Sequence, residues 1–208
     1  DMIDTAHKMG LTTVEDPSKW GLAVGLGVAD AKLLDLTFAY AVFANGGAMI
    51  GAPVPLAERA PRMRELEPAA ILRIEDSFGN EVYRYQPYAR QIISPQAAWL
   101  ITTTLGDDVN RRFTFSPNGP LVLDRPAAAK TGTSNMVQDT WTIGYTPDLA
   151  TGIWVGNSDG SQMENITSTL SAAAIWHNVM IEAHRHYGLP PRDFVVPPGV
   201  KFGNVCGK

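Results

Sequence analysis

Lys130-Thr131-Gly132-Thr133-Ser134 sets an ammonium, a hydroxyl, a bare backbone and two more hydroxyls in consecutive places. On an edge strand, Lys130 and the position two residues on face the same way. The ammonium is a point charge able to hold an anionic group or tune a neighbouring proton transfer. The Thr131 and Thr133 hydroxyls suit a carboxylate. Gly132 has no side chain, so a substrate backbone can lie close and pair with the strand. Lys-(Ser/Thr)-Gly arises by chance in roughly one chain of this length in ten, so the tripeptide needs support from its surroundings.

Other candidate groups are weaker. No serine has a lysine three residues later, and Ser116-Pro117-Asn118, fourteen residues before Lys130, sits in a Pro/Gly-rich stretch that reads as a turn. His177, His184 and His186 fall on one predicted helix. His184 and His186 are two apart and share no face, and basic groups near a helix C-terminus answer the dipole, so no metal site is read there. Asp107, Asp108 and Asp124 read as solvated surface, and Trp141 and Trp154 as sheet core. Asn165-Ile166-Thr167 matches a glycosylation sequon. The single cysteine, Cys206, can form neither an internal disulfide nor a metal site.

The elements that must position Lys130 follow from periodicity. From residue 127 the pattern is short apolar or β-branched runs, 127–131, 140–145 and 150–156, joined by tight links at 132–139 and 146–148. They predict an antiparallel three-strand meander. A helix follows over 170–187, with Ala172, Trp176, Val179, Met180, Ala183 and Tyr187 on one face, stopped by Gly188 and Pro190-Pro191. Upstream, residues 2–10 read as a helix ending at Gly10, 12–27 as a loop, and 30–45 as a helix ended by Asn45-Gly46-Gly47. The prolines of 53–68 predict loop with short extended pieces. Residues 71–75 and 81–85 predict a hairpin, and Ser94-Pro95-Gln96 opens a helix ended by Gly106. The last twenty residues read as surface chain.

The 208 residues are 45% hydrophobic and 18% charged, enough to bury a core, with a net charge of −4. Lys and Arg are scattered, which excludes the basic stripe a phosphate backbone needs; no nucleic-acid partner is predicted. No run approaches the roughly 18 apolar residues of a membrane helix, and Asp1-Met2-Ile3-Asp4 is no signal peptide. Nothing calls for a cofactor or metal.

The residues beyond the lysine raise its weight. Asp139-Thr140-Trp141, Gly144-Tyr145-Thr146-Pro147, Gly152-Ile153-Trp154-Val155-Gly156-Asn157 and Asp159-Gly160 succeed it in order. With Lys130-Thr131-Gly132-Thr133, this run resembles the end of the transpeptidase domain of class A (bifunctional) penicillin-binding proteins. Leu34-Asp35-Leu36 with the 39–47 segment, and Ser94-Pro95-Gln96-Ala97-Ala98, resemble the helices that precede that strand. The resemblance covers about residues 20–185. It implies the α/β (α+β) serine β-lactamase/transpeptidase-like fold: a five-stranded antiparallel sheet, at least three strands of it here, with a C-terminal helix packed on it and part of a helical subdomain.

The resemblance also implies roles. Such enzymes use Ser-x-x-Lys with the nucleophile, Ser-x-Asn, and Lys-Thr-Gly. Lys130, Thr131 and Gly132 match the third. Lys130 would set the electrostatics, Thr131 and Thr133 would bind the substrate carboxylate, Ser134 would also contact the substrate, and the Thr133 N–H would be half of an oxyanion hole. The other two motifs have no match here, and residues 2–11 resemble the segment just after Ser-x-Asn. Residues 1–208 are therefore expected to be the C-terminal portion of the domain, inactive without its nucleophile. The implied parent cross-links peptidoglycan from D-Ala-D-Ala stem peptides, reacts with β-lactams and works at the outer face of the bacterial membrane. The strand at 150–156 would lack a neighbour, leaving an apolar edge for the rest of the domain or for self-association. A non-catalytic peptide- or β-lactam-binding module and a β-lactamase or D,D-carboxypeptidase relative are the alternatives.

Overall fold

Apolar residues at helical spacing, punctuated by glycine, set the first half of the chain. The computed structural model describes residues 2–14, 21–59, 64–115, 117–164, 166 and 171–203. Helix α1 (Met2–Lys8) stops at Gly10, whose φ of 98° is open to glycine at no steric cost. A 3-10 turn (Gly21–Leu26) lies within the predicted loop. Helix α2 (Leu33–Ala44) ends as Gly47 N–H donates to Val42 O at 2.8 Å. Strands β1 (Ala48–Pro53), β2 (Leu66–Glu67), β3 (Arg73–Glu75), β4 (Glu81–Arg84) and β5 (Tyr88–Gln91) follow. Helix α3 (Pro95–Leu105) is capped by Ser94, whose hydroxyl accepts from Ala97 N–H at 3.2 Å. After α4 (Asp108–Phe115) come β6 (Ala128–Thr133), β7 (Asp139–Tyr145), β8 (Ala150–Gly156) and α5 (Ala172–His186).

The predicted meander forms: β6, β7 and β8 make an antiparallel sheet in that order. Helices cover both of its faces. On one, Ala173, Trp176 and Met180 of α5 pack with Ala129 and Leu121. Gly144 is required there, because a Cβ would fall 2.5 Å from the Trp176 ring and 2.7 Å from Ala129 Cβ. On the other, α2 lies so close that a Cβ on Gly152 would meet Thr37 Oγ1 at 2.0 Å. Tyr145 also faces this side, its ring centroid 6.2 Å from Tyr40 and 5.7 Å from Phe194. A second core joins α1 and α2 to β1 and β2 through Met9, Ala39, Val42, Met49 and Leu66.

Beneath that core lies a buried charge cluster. Arg64 donates to Gly10 O and Asp35 Oδ1, each at 2.7 Å, and pairs with Glu67; Thr12 donates to Asp35 Oδ2 at 2.5 Å. Burial works against the Asp35 anion. The hydrogen bonds from Thr12 and Arg64, with the guanidinium charge, outweigh it and hold the carboxyl below its ordinary range.

The structure corrects several expectations. β1 and β5 pair with each other, and β2 adds to β1, so 48–53 and 88–91 form a second sheet that local periodicity does not predict. The polar run of α4 is helical because Asp107 caps it, accepting from Asn110 N–H at 3.0 Å; Asp107 and Asp108 lie at the solvent surface as read from the sequence, Asp108 paired there with Arg111. On α5 the buried face runs through Ala172, Ala173, Trp176, Met180 and His184, whereas Val179 and Tyr187 are 39% and 67% exposed. His184 joins the core because both ring nitrogens are bonded. Its Nδ1 is 2.8 Å from Met180 O and so carries the proton, and Nε2 accepts from the Thr146 hydroxyl at 2.9 Å. Trp154 is not core: it is 39% exposed and donates to Asp139 Oδ2 at 3.0 Å.

Candidate functional site

Lys130 stands on the end strand of the central sheet. Ala128 and Ala129 anchor β6 in the core, Lys130 and Thr133 are exposed, and Thr131 and Gly132 are half-buried. The register pairs Lys130 with Ile143, Thr131 with Thr142, Gly132 with Trp141 and Thr133 with Thr140. Residues opposite each other across an antiparallel pair share a face. Thr131 and Thr133 therefore lie on the α5 face, and Lys130 and Gly132 on the α2 face.

Which backbone groups are open follows from one bond. Ser134 N–H donates inward to Asp139 O at 3.2 Å. Because antiparallel strands alternate inward- and outward-pointing residues, Gly132 and Lys130 also pair with β7, while Ala129, Thr131 and Thr133 present N–H and C=O to the open side. The Lys130 ammonium donates to Thr131 O on that edge. The Thr133 N–H therefore points outward, away from β7.

Gly132 is informative by contrast with Gly144. A Cβ at Gly132 would meet only Trp141 Cβ, at 3.6 Å, an ordinary contact, and its φ is not positive. Nothing in the described fold demands glycine here.

The link from β6 to β7 is held in an uncommon conformation. Met136 and Val137 have φ of 61° and 53°, costly for a β-branched residue. Met163 N–H donates to Val137 O at 3.0 Å and Gln138 Nε2 to Gly160 O at 2.9 Å, so segment 157–163 straps the loop. The Ser134 hydroxyl accepts from Asp139 N–H at 2.9 Å; it is engaged in closing the loop, which leaves Thr131 and Thr133 as the hydroxyls nearest the open edge.

The remaining candidates do not converge on this strand. Pro117 and Asn118 lie in a turn, and Ser116, Asn165, Thr167 and Cys206 lie outside the described residues. His177 Nδ1 is 3.2 Å from Pro120 O, and His186 stacks edge-on with Tyr187. No group of three metal-ligating side chains occurs among the described residues. A cavity of about 450 Å³ lies beneath the 192–197 segment, lined by Phe43, Trp99, Thr102, Pro147 and Phe194 among others; none of the 130–134 residues borders it. An edge strand makes a concave site only once something faces it. No described helix is long and apolar enough to cross a membrane.

No family model matches the chain. It is 26% identical over 204 residues to penicillin-binding protein 2D of Bacillus subtilis, covering 96% of the chain and 26% of that protein. It is 28% identical over 214 residues to penicillin-binding protein 1A of Clostridium tetani, covering 97% and 25%. Its fold superposes with a TM-score of 0.73 on PonA1 of Mycobacterium tuberculosis in complex with penicillin V, at 22% identity, over 95% of this chain and 52% of that one. The homologues are penicillin-binding proteins, matched over most of the chain, and the architecture is the α/β transpeptidase-like fold. The chain spans about a quarter of the length of the curated relatives it matches.

Proposed function

We propose that residues 1–208 are the C-terminal portion of a peptidoglycan D,D-transpeptidase domain, contributing its Lys-Thr-Gly strand and carrying no nucleophile. The observation that carries this reading is the open edge of β6. It sets an exposed Lys130, outward Thr131 and Thr133 amides and a glycine that the fold does not need side by side. An extended D-Ala-D-Ala stem peptide or a β-lactam would lie along that edge, its carboxylate toward the Thr131 and Thr133 hydroxyls and its carbonyl toward the Thr133 N–H. Lys130 would release Thr131 O and turn its charge to the ligand.

The serine that accepts the acyl group would come from the preceding part of the same domain, as would the surface facing β6. Alone, the chain forms no acyl-enzyme, since a covalent intermediate needs the nucleophile. The site of action would be the outer face of the bacterial membrane.

Labelling of the longer protein with a fluorescent penicillin tests the role of the strand. Lys130→Ala is expected to lower the rate by about tenfold or more, the worth of a charge-assisted contact to the ligand. An unchanged rate would remove Lys130 from the site.

A further inference from the structure

We infer that the cavity beneath the 192–197 segment is a binding site for a small amphipathic amine. The apolar body of such a ligand lies among Phe43, Trp99 and Phe194, and its ammonium sits at the C-terminal end of α2 beside Asp193. The site is separate from the β6 edge and does not rest on the function proposed for that strand.

The cavity is built into the fold. At about 450 Å³ it has the size of a small-molecule pocket. Its roof, residues 192–197, has no regular structure but is tied down on either side. Arg125 donates to Leu189 O and Gln96 to Pro198 O, each at 2.8 Å. Two of the three aromatic walls rest on the buried Tyr145, their ring centroids 6.3 Å (Phe43) and 5.7 Å (Phe194) from it. The third, Trp99, meets Phe202 edge-on at 5.6 Å. Such rings bury the body of a ligand and attract a cation held near their faces.

Charge decides the head group. Arg192 borders the cavity, but its guanidinium is already committed: Nε donates to Asp148 Oδ2 at 3.2 Å and Nη2 to Oδ1. The Asp148 side chain is 8% exposed, so turning Arg192 to an anion would strand a buried carboxylate. Asp193 also borders the cavity; it is exposed and enters no hydrogen bond or ion pair among the described residues. Helix α2 ends at the same wall with Ala44. Beyond it, Gly46, Gly47 and Ala48 N–H turn back to Phe43, Val42 and Asn45 O, and Gln91 donates to Gly46 O. Ala44 O is left with no donor among the described residues. The negative end of a helix favours a cation, and an ammonium also supplies the missing donor. A carboxylate would meet both with the wrong sign.

The test uses the isotope-labelled 208-residue chain at neutral pH and three probes on one skeleton: 3-phenylpropylamine, 3-phenyl-1-propanol and 3-phenylpropanoate. They share the ring and differ in the charge of the head. The amine is expected to shift the Gly46 amide and the Trp99 indole N–H. It should bind roughly five- to tenfold tighter than the alcohol, the combined worth of a cation near aromatic rings and at a helix C-terminus. The propanoate is expected to bind weakest. Asp193→Asn, at an exposed position, is expected to narrow the gap between amine and alcohol while leaving the alcohol's affinity unchanged, and Asp193→Glu to restore the gap. Equal affinity for amine and alcohol would reduce the cavity to an apolar hole and overturn the inference, as would tighter binding of the propanoate. Probes that move neither Gly46 nor Trp99 at millimolar concentration would overturn it outright. None of these outcomes bears on penicillin labelling of the longer protein, which tests β6 separately.

Discussion

Glycines 132 and 144 are the same residue used for opposite reasons, and the difference is measurable. Gly144→Ala forces a Cβ against Trp176, Ala129 Cβ and Ala128 O. It is expected to cost about 1–3 kcal/mol in chemical denaturation. Gly132→Ala meets only Trp141, at 3.6 Å, and should leave stability within about 1 kcal/mol, with any gain coming from a less flexible unfolded chain. In the longer protein the same substitution should slow penicillin labelling, because the methyl stands where a ligand approaches. Arg64 and Asp35 give a second prediction. Arg64→Ala leaves a buried carboxylate unpaired and is expected to cost about 3–5 kcal/mol. The Asp35 carboxyl is held below its ordinary value of 3.8, so its contribution is present above that value and is lost as pH falls below it. Melting temperature should drop across that acid range, and Asp35→Asn should remove that part of the slope. Lys130 through Thr133 are legible in the sequence as a group because their chemistry is spelled out contiguously. Asp35 and Arg64 are not, since they lie 29 residues apart and no local pattern announces them.

Elements reveal themselves when their own sequence holds the signal. Helices α2 and α3 and the three central strands are readable from apolar spacing, the Ser94 cap and glycine stops. β1 is not: it is short, contains Gly51 and ends in Pro53, and its partner β5 arrives thirty-five residues later. Apolar spacing alone mis-centres the buried face of α5, because His184 counts as polar until its two hydrogen bonds are seen. Those bonds support a prediction for the β7–β8 turn. The Thr146 hydroxyl accepts from Asp148 and Leu149 N–H, each at 3.2 Å, and donates to His184. Thr146→Val keeps the shape and strips all three, so it is expected to cost about 1–3 kcal/mol. The loss should be non-additive with His184→Leu in a double-mutant cycle; simple additivity would mean the two do not cooperate.

At the scale of the whole molecule, no described strand pairs with the outer side of β6 or of β8, and the two edges differ in character. The β6 side carries Lys130 and the hydroxyls; the β8 strand, Ala150–Gly156, carries mostly apolar residues and glycines, with Trp154 39% exposed. An unpaired apolar edge of this kind invites another strand. The chain on its own is expected to sediment as concentration-dependent oligomers, or to melt broadly; a monodisperse monomer with a cooperative transition would count against that. The central claim is that this chain brings the Lys-Thr-Gly strand and not the nucleophile. It is tested most directly by incubating the 208-residue chain and the longer protein side by side with a fluorescent penicillin and resolving them on a denaturing gel. The account predicts covalent label on the longer protein alone, weakened there by Lys130→Ala. Covalent label on the 208-residue chain itself would place a nucleophile within it and contradict the account.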